Sequence, residues 1–258
     1  MRLDCYLVEG GYTDSRERAK RLLQAGAVTV DGVVVTKPAF PVTGTPVISV
    51  TEEEFVGRGG EKLKAALSIF GVDPRGQRAL DVGASTGGFT HCLLERGAAA
   101  VVALDAGCDQ LHPKLRADAR VTNIEKYNAR DLRYEDVGHF DLVVMDVSFI
   151  SATYILPRFC DVLTDDGRAI VLIKPQFEAG RAALSKKGLV KDPRDRAFAI
   201  RRVLQCAAES GLVCRGLAPS PIRGGDGNEE YLAYFTREGV GIADASVEKV
   251  VLGGKVSK

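Results

Sequence analysis

Apolar positions repeat with two different periods along this chain, and the switches between them mark out its elements. Leu3, Tyr6 and Leu7 share one face of a short helix that Gly10-Gly11 ends. Ala19, Leu22 and Leu23 repeat that spacing in a second helix, Arg16 to Gln24, with Ser15 placed to cap it and Gly26 to stop it. The period then drops to two. Val28-Thr29-Val30 alternates, Asp31-Gly32 makes a hairpin turn, and Val33 to Val35 returns until Lys37-Pro38. One more short strand, Pro46 to Val50, completes a first domain over residues 1–51, small enough that its core is thin. The acidic run Glu52-Glu53-Glu54 changes the composition, and 52–59 is expected to be a linker.

From residue 60 to 245 strands and helices alternate. A helix opens at Arg58-Gly59-Gly60-Glu61-Lys62-Leu63 and runs through Phe70. A strand, Ala79 to Val82, leads through a Gly-rich turn into a helix that reaches Arg96. Further strands are predicted at Ala99 to Leu104, Val121 to Ile124, Leu142 to Met145 and Ala169 to Ile173. A helix from Asp195 to Glu209 precedes two late strands, Val213 to Leu217 and Tyr231 to Thr236. Apolar strands alternating with helices imply a mostly parallel, doubly wound sheet that binds ligands at the carboxyl ends of its strands. The fold class is therefore α/β, a Rossmann-like doubly wound sheet with a small α+β domain in front of it. Residues 246–258, ending Gly-Gly-Lys-Val-Ser-Lys, are expected to form a flexible tail.

Composition narrows the class. The chain has 258 residues, 45% of them apolar and 27% charged, which suits a soluble globular protein and excludes disorder. Its longest apolar run, Ala98 to Leu104, falls far short of the roughly 20 residues that span a bilayer. The opening Met1-Arg2-Leu3-Asp4 has no hydrophobic signal region, so the expectation is a cytoplasmic protein without stable membrane association. Six cysteines without a C-x-x-C pair, and only three histidines, argue against a zinc site and for buried, reduced thiols; no metal is expected.

The net charge of +1 is uninformative, but its distribution is not. Between Lys174 and Arg202 nine basic residues stand against three acidic ones. That balance fits a polyanion-facing surface as well as a solvated loop and helix face. Arg16, Arg18, Lys20 and Arg21 likewise crowd the outer face of the second helix against Glu17 alone. Arg2, Arg16, Arg18, Lys20, Arg21, Lys186, Lys187 and Lys191 are the candidate contacts for such a polyanion, which the resemblance described below implies to be RNA.

The sharpest local signal is Leu80-Asp81-Val82-Gly83-Ala84-Ser85-Thr86-Gly87-Gly88-Phe89-Thr90, between the first strand of the sheet and its helix. Its glycines allow close backbone approach, and the helix N-terminus offers free N–H donors. Ser85 stands where a dinucleotide fingerprint needs its second glycine, and Asp81 would repel a pyrophosphate. An acid there suits the ammonium of S-adenosylmethionine (SAM), which is favoured over NAD. Asp105, 22 positions after Gly83 and at the end of the second strand, can accept both ribose hydroxyls. The candidate cofactor residues are Asp81, Gly83, Ser85, Thr86, Gly87, Gly88, Phe89, Asp105, Asn128 and Asp146.

Polar residues also mark the ends of apolar strands. Asp146 follows Leu142 to Met145, Lys174 follows Ile170 to Ile173, Glu230 opens the run at Tyr231, and Lys62 starts a helix. A lysine at the end of a buried strand is costly unless paired or used. One reading is a structural Lys–Asp pair. The other is base catalysis on a hydroxyl: the methyl donor is already activated, so the protein must align the nucleophile and remove its proton.

Five separated motifs carry a family resemblance. They are Arg58-Gly-Gly-Glu-Lys62-Leu, the loop Asp81 to Phe89, Met145-Asp146-Val-Ser-Phe, Ile173-Lys174-Pro-Gln-Phe-Glu178 and Gly227-Asn-Glu-Glu230-Tyr. In that order they resemble the TlyA family, often labelled hemolysins, whose catalytic half is similar to FtsJ-type ribose 2′-O-methyltransferases with a Lys-Asp-Lys-Glu tetrad. The resemblance implies that tetrad at Lys62, Asp146, Lys174 and Glu230, with Glu229 as the neighbouring alternative. It implies SAM as cofactor and cytidine 2′-O-methylation of ribosomal RNA, with ribosomal subunits as partners. Residues 2–38 resemble the S4-type RNA-binding domain through Ser15-Arg16, Gly26, Val28 and Val30-Asp31-Gly32. FtsJ-type loops usually carry Trp where this chain has Phe89 and Pro where it has Thr86, which moves the match toward TlyA. Two other readings stand beside this one: a membrane-active hemolysin, and a non-catalytic ribosome-binding assembly factor.

Overall fold

The computed structural model describes residues 1–24, 26–50 and 55–257, and the chain divides into two compact units, Met1–Glu54 and Phe55–Lys258. In the first unit α1 (Leu3–Glu9) and α2 (Arg16–Gln24) pack against a sheet of β1 (Val28–Val30), β2 (Val33–Val34) and β3 (Ile48–Val50), in the order β2-β1-β3, all antiparallel. Leu3, Leu7, Ala19, Leu22, Leu23 and Val28 form its core. The Ser15 hydroxyl accepts from the Arg18 amide and caps α2. Asp31 and Gly32 both take positive φ, the backbone of a two-residue hairpin turn. Asp4 is fully buried between the guanidinium groups of Arg2 and Arg16, at 2.9 and 3.1 Å, and those bonds hold its carboxyl well below the usual range.

The second unit begins with α3 (Gly59–Phe70), followed by β4 (Arg78–Val82), α4 (Gly88–Glu95), β5 (Ala100–Leu104), α5 (Pro113–Arg116) and β6 (Val121–Ile124). Next come α6 (Tyr134–Val137), β7 (Phe140–Met145), α7 (Phe159–Val162), β8 (Leu163–Ile173) and α8 (Pro175–Glu178). The unit ends with α9 (Pro193–Glu209), β9 (Val213–Pro219), β10 (Tyr231–Thr236), α10 (Ala245–Val251) and β11 (Val256–Ser257). The sheet order is β11-β9-β10-β8-β7-β4-β5-β6, parallel from β8 to β6 and antiparallel through β10, β9 and β11.

Period-two alternation sends neighbouring strand residues to opposite faces. Leu80, Val82, Val143 and Met145 face one layer with Phe159, Ile200, Val203, Val247 and Val250. Ala79, Val101, Val144 and Leu172 face the other with Leu63, Leu67, Leu93 and Leu115. Both faces are thus covered by helices, as an apolar parallel sheet requires.

Three expectations are corrected here. Residues 246–258 are not a loose tail as far as they are described. Val247 and Val250 of α10 are fully buried, and β11 pairs with β9 through Val256 and Leu217. Nor does the linker expected at 52–59 extend past residue 54. Glu52 to Glu54 lie outside the described residues, whereas Phe55 is buried in the core of the second unit against the bare Cα face of Gly60. The helix expected from Asp195 starts at Pro193, because Asp192 caps it by accepting from the Arg194 amide at 2.8 Å.

Candidate active site

The strand order reverses between β4 and β7, and the polar residues at their carboxyl ends converge there, as at a doubly wound switch point. Asp146 follows β7 and Lys174 follows β8, both parallel to β4. Because β10 runs antiparallel to β8 with Tyr231 opposite Ile173, the start of β10 lies at that same edge. That register brings Glu230 in from a distant part of the chain. Lys62 enters from the first turn of α3.

Together they form a row of alternating charge. Lys62 Nζ lies 2.6 Å from Glu230 Oε2 and 3.7 Å from Asp146 Oδ2. Lys174 Nζ lies 2.7 Å from Asp146 Oδ1 and donates to Ser148 Oγ at 2.7 Å. Lys62, Lys174 and Glu230 are all buried, so each charge needs the opposite neighbour it has. Glu229, next in sequence, turns away to Arg196 and Arg223, as side-chain alternation at a strand entrance dictates.

Beside this row is a cleft of about 410 Å³ lined by Gly83, Ser85, Asp105, Asn128 and Asp146 together with Gln110, Tyr127, Ser148, Phe149 and Ile155. Gly83 holds φ at +83°, and a Cβ there would meet the Asp146 carbonyl oxygen at 2.8 Å. Only glycine lets β4 turn so close to β7. Asp105 accepts from the amides of Ser85 at 2.8 Å and Gly107 at 2.7 Å, which fixes its carboxylate at the cleft wall. Asn128 caps the short turn Ala129–Asp131 by accepting from the Arg130 amide.

Of the loop residues expected at the cofactor, Asp81, Thr86, Gly87, Gly88 and Phe89 are not in the cleft lining. Gly88 is instead where α4 meets α3, since a Cβ there would sit 3.0 Å from the Gly60 nitrogen. Phe89 is buried in the core, and the Thr86 carbonyl accepts from His112. Asp81 is fully buried; Oδ2 accepts from the Thr90 amide at 2.9 Å and the Thr90 hydroxyl at 2.7 Å, and Oδ1 has no partner. Burial pushes its carboxyl up to about 7 against the opposing pull of Thr90. A buried carboxylate oxygen without a donor fits a ligand that brings a cation, and the acidic wall at Asp105 fits a ribose diol. The residues present therefore suit SAM.

The basic candidates divide between the units. In the first, Arg2 and Arg16 are engaged with Asp4, and Arg18 lies 3.4 Å from Asp14. Lys20 and Arg21 are half-buried on α2. In the second, Lys186, Lys187 and Lys191 are exposed around a loop closed by a bridge between Leu184 and Val190.

Sequence reasoning gave no role to four residues that the structure draws into the site. Ser148 and Phe149 lie inside a quoted motif, but their proximity to Lys174 and the cleft depends on how β7 and β8 pair. Phe149 is 92% exposed, takes φ +64° and leans on Phe177 with ring centroids 5.5 Å apart. Glu178 bonds the Ser151 hydroxyl and the Ala152 amide. Asn228 accepts from the Val190 amide and donates to the Gly188 carbonyl, which ties the basic loop to the strand that carries Glu230.

The model of the FtsJ-like methyltransferase family matches residues 55–237, and that of the S4 domain matches residues 1–48. The chain is 44% identical over 238 residues to the 16S/23S rRNA (cytidine-2′-O)-methyltransferase TlyA of Mycobacterium tuberculosis, covering 91% of this chain and 89% of that one. It is 43% identical over 238 residues to a Brachyspira hyodysenteriae protein named Hemolysin A, covering 91% and 99%. A solved Streptococcus thermophilus structure, provisionally described as a hemolysin, superposes with a TM-score of 0.79 at 36% identity over 98% of this chain and 94% of that one. The chain, with an S4 domain ahead of its methyltransferase domain, belongs to the FtsJ-like methyltransferase family and within it to the TlyA branch.

Proposed function

We propose that this protein transfers a methyl group from SAM to the 2′-hydroxyl of a ribose in ribosomal RNA, with cytidine as the target nucleotide and the cytoplasm as its place of work. The observation that carries this reading is the row Glu230–Lys62–Asp146–Lys174 beside a cleft with an acidic wall. The names of the M. tuberculosis relative and its kin supply the substrate class. SAM, when bound, supplies an activated methyl group on a sulfonium.

Lys174 would take the proton of the ribose hydroxyl as that oxygen bonds to the methyl carbon, the methyl–sulfur bond breaking in the same step. Asp146, between the two lysines, then stabilises the ammonium that results. Lys62 is held by Glu230 at 2.6 Å, which leaves Asp146 closer to Lys174 at 2.7 Å than to Lys62 at 3.7 Å. Asp105 would hold the ribose of the cofactor, with Gly83, Ser85 and Asn128 along the same wall, and Asp81, buried outside that lining with Oδ1 unpartnered, would attract the ammonium through its charge. Phe149 offers an exposed aromatic face to an unstacked base, the common way of reading single-stranded RNA. Arg18, Lys20, Arg21 and the Lys186–Lys191 loop contribute phosphate contacts, so affinity falls steeply with salt.

Neither rival reading gains an observation. Among the described residues no helix is long and apolar enough to cross a membrane, and a binding module has no use for two buried, paired lysines at a cleft. The deciding experiment combines tritiated SAM with ribosomal subunits that lack the modification, maps the label to base or ribose, and runs Lys174→Ala in parallel. Ribose label that disappears in the variant supports the reading. Measurable SAM binding with no label on any ribosomal substrate refutes it.

A further inference from the structure

Lys174 has two polar neighbours that act on it differently. Asp146 Oδ1 is 2.7 Å from Nζ, yet that buried oxygen receives no aligned hydrogen bond. The aligned bond runs from Nζ to Ser148 Oγ at 2.7 Å. A charge attracts without regard to direction, whereas a hydrogen bond fixes direction. A general base must do more than stand nearby; its lone pair has to point at the proton it removes.

We propose that Ser148 is the positioning residue that aims the Lys174 nitrogen at the substrate hydroxyl, and that Glu178 holds Ser148 in place through the loop between them. The proposal rests on Lys174 being the base. The loop is short: residues 146–151 join the end of β7 to the turn Ala152–Tyr154, and Ser148 to Ser151 form its second part. Its far end is clamped. Glu178 Oε2 accepts from the Ser151 hydroxyl at 2.5 Å, and Oε1 accepts from the Ala152 amide at 2.7 Å. Glu178 is only 2% exposed, so water does not compete for those bonds.

The clamp and the base ride on one short element. Lys174 is the N-cap of α8, and Glu178 is its last residue. Whatever moves Lys174 therefore moves the far anchor of the Ser148 loop with it, and the 2.7 Å bond survives small shifts of the sheet edge. The loop is under tension as well. Phe149 holds φ at +64°, a left-handed conformation that a bulky residue adopts only when its surroundings impose it. With the clamp loosened, Phe149 is free to relax and Ser148 swings off Lys174.

Methylation of ribosomal substrate at saturating SAM tests this with wild type, Ser148→Ala, Ser148→Thr, Glu178→Gln and Lys174→Met. Misaiming the base is expected to lower kcat of Ser148→Ala about ten- to a hundredfold. KM for RNA and Kd for SAM should change far less than kcat, because the loss falls mainly on the aim of the base and not on substrate contacts. Ser148→Thr, which restores the hydroxyl, recovers most of the rate. Glu178→Gln lowers kcat in the same direction, with its fold checked by circular dichroism. A wild-type kcat in Ser148→Ala, alongside an inactive Lys174→Met, overturns the proposal while leaving Lys174 as base. So does a threonine variant as slow as the alanine one. If Lys174→Met keeps the wild-type rate, the reading of the base fails and the proposal fails with it.

Discussion

Replacing Asp81 by Asn should stabilise the empty protein at neutral pH while weakening its hold on SAM. The Asp81 carboxyl is buried completely, with its value raised from 3.8 to about 7 by burial. That gap is about three units, and each unit is worth about 1.4 kcal/mol. A carboxyl whose value is raised on folding contributes stability that is present below the unfolded value and is lost as pH rises through the folded one. For Asp81 the window runs from pH 3.8 to about 7. Asp81→Asn removes the titration, so the stability of the variant relative to wild type climbs by about 2–3 kcal/mol between pH 5 and 7. The new amide nitrogen has no acceptor where Oδ1 had no donor, which costs about 1–3 kcal/mol at every pH and leaves the difference untouched. The same change takes away a charged partner for the ammonium of SAM and should raise its Kd about ten- to a hundredfold. Urea titrations of the ligand-free protein at pH 5 and 7, with SAM calorimetry at neutral pH, read both effects. A difference in stability between variant and wild type that is identical at the two pH values would show that the carboxyl is not neutral in the empty protein. Unchanged SAM affinity would remove Asp81 from the cofactor site.

Three further outcomes follow from the packing. Gly83→Ala places a Cβ 2.8 Å from the Asp146 carbonyl at a φ of +83°, so a loss of about 1–3 kcal/mol and of SAM binding is expected in thermal melts with and without ligand. Val250→Asp puts an unpaired charge in the core under α10; a loss above about 3 kcal/mol in urea unfolding is expected, and a neutral result would mean that the helix does not dock. Asn228→Ala frees the Lys186–Lys191 loop from the strand that carries Glu230, so trypsin should cut at Lys186 and Lys187 faster and KM for RNA should rise.

The alternation of periods two and 3.6 made the central sheet readable, because strands buried on both faces are apolar throughout and end abruptly at polar residues. Leu142 to Met145 and Ala169 to Ile173 announced Asp146 and Lys174 in that way. The terminal helix was less legible. Val247, Val250 and Val251 carry a helical stripe, but one stripe that short declares itself only when a partner surface exists, here Ile200 and Val203 of α9. Phe55 was hidden for a related reason, as a lone aromatic beside an acidic run looks like linker until the Gly60 face that receives it is known. The glycines of the cofactor loop were legible as glycines but not as to what approaches them: at Gly83 it is the Asp146 carbonyl, and at Gly88 the backbone of α3.

What the sequence determined by itself is the inventory: an α/β sheet, a small α+β domain with one basic helix face ahead of it, a glycine-rich loop and four charged residues at the ends of apolar runs. Local pattern suffices for that, since burial of each strand and capping of each helix depend mainly on near neighbours. Only the tertiary structure decided how those charges meet. The antiparallel register of β10 on β8 brings Glu230 to Lys62 across 168 positions, and side-chain alternation excludes Glu229. The pairing of β7 with β8 brings Ser148 to Lys174 across 26 positions. Strand pairing and side-chain direction are long-range facts, so no local reading of the chain could have supplied them.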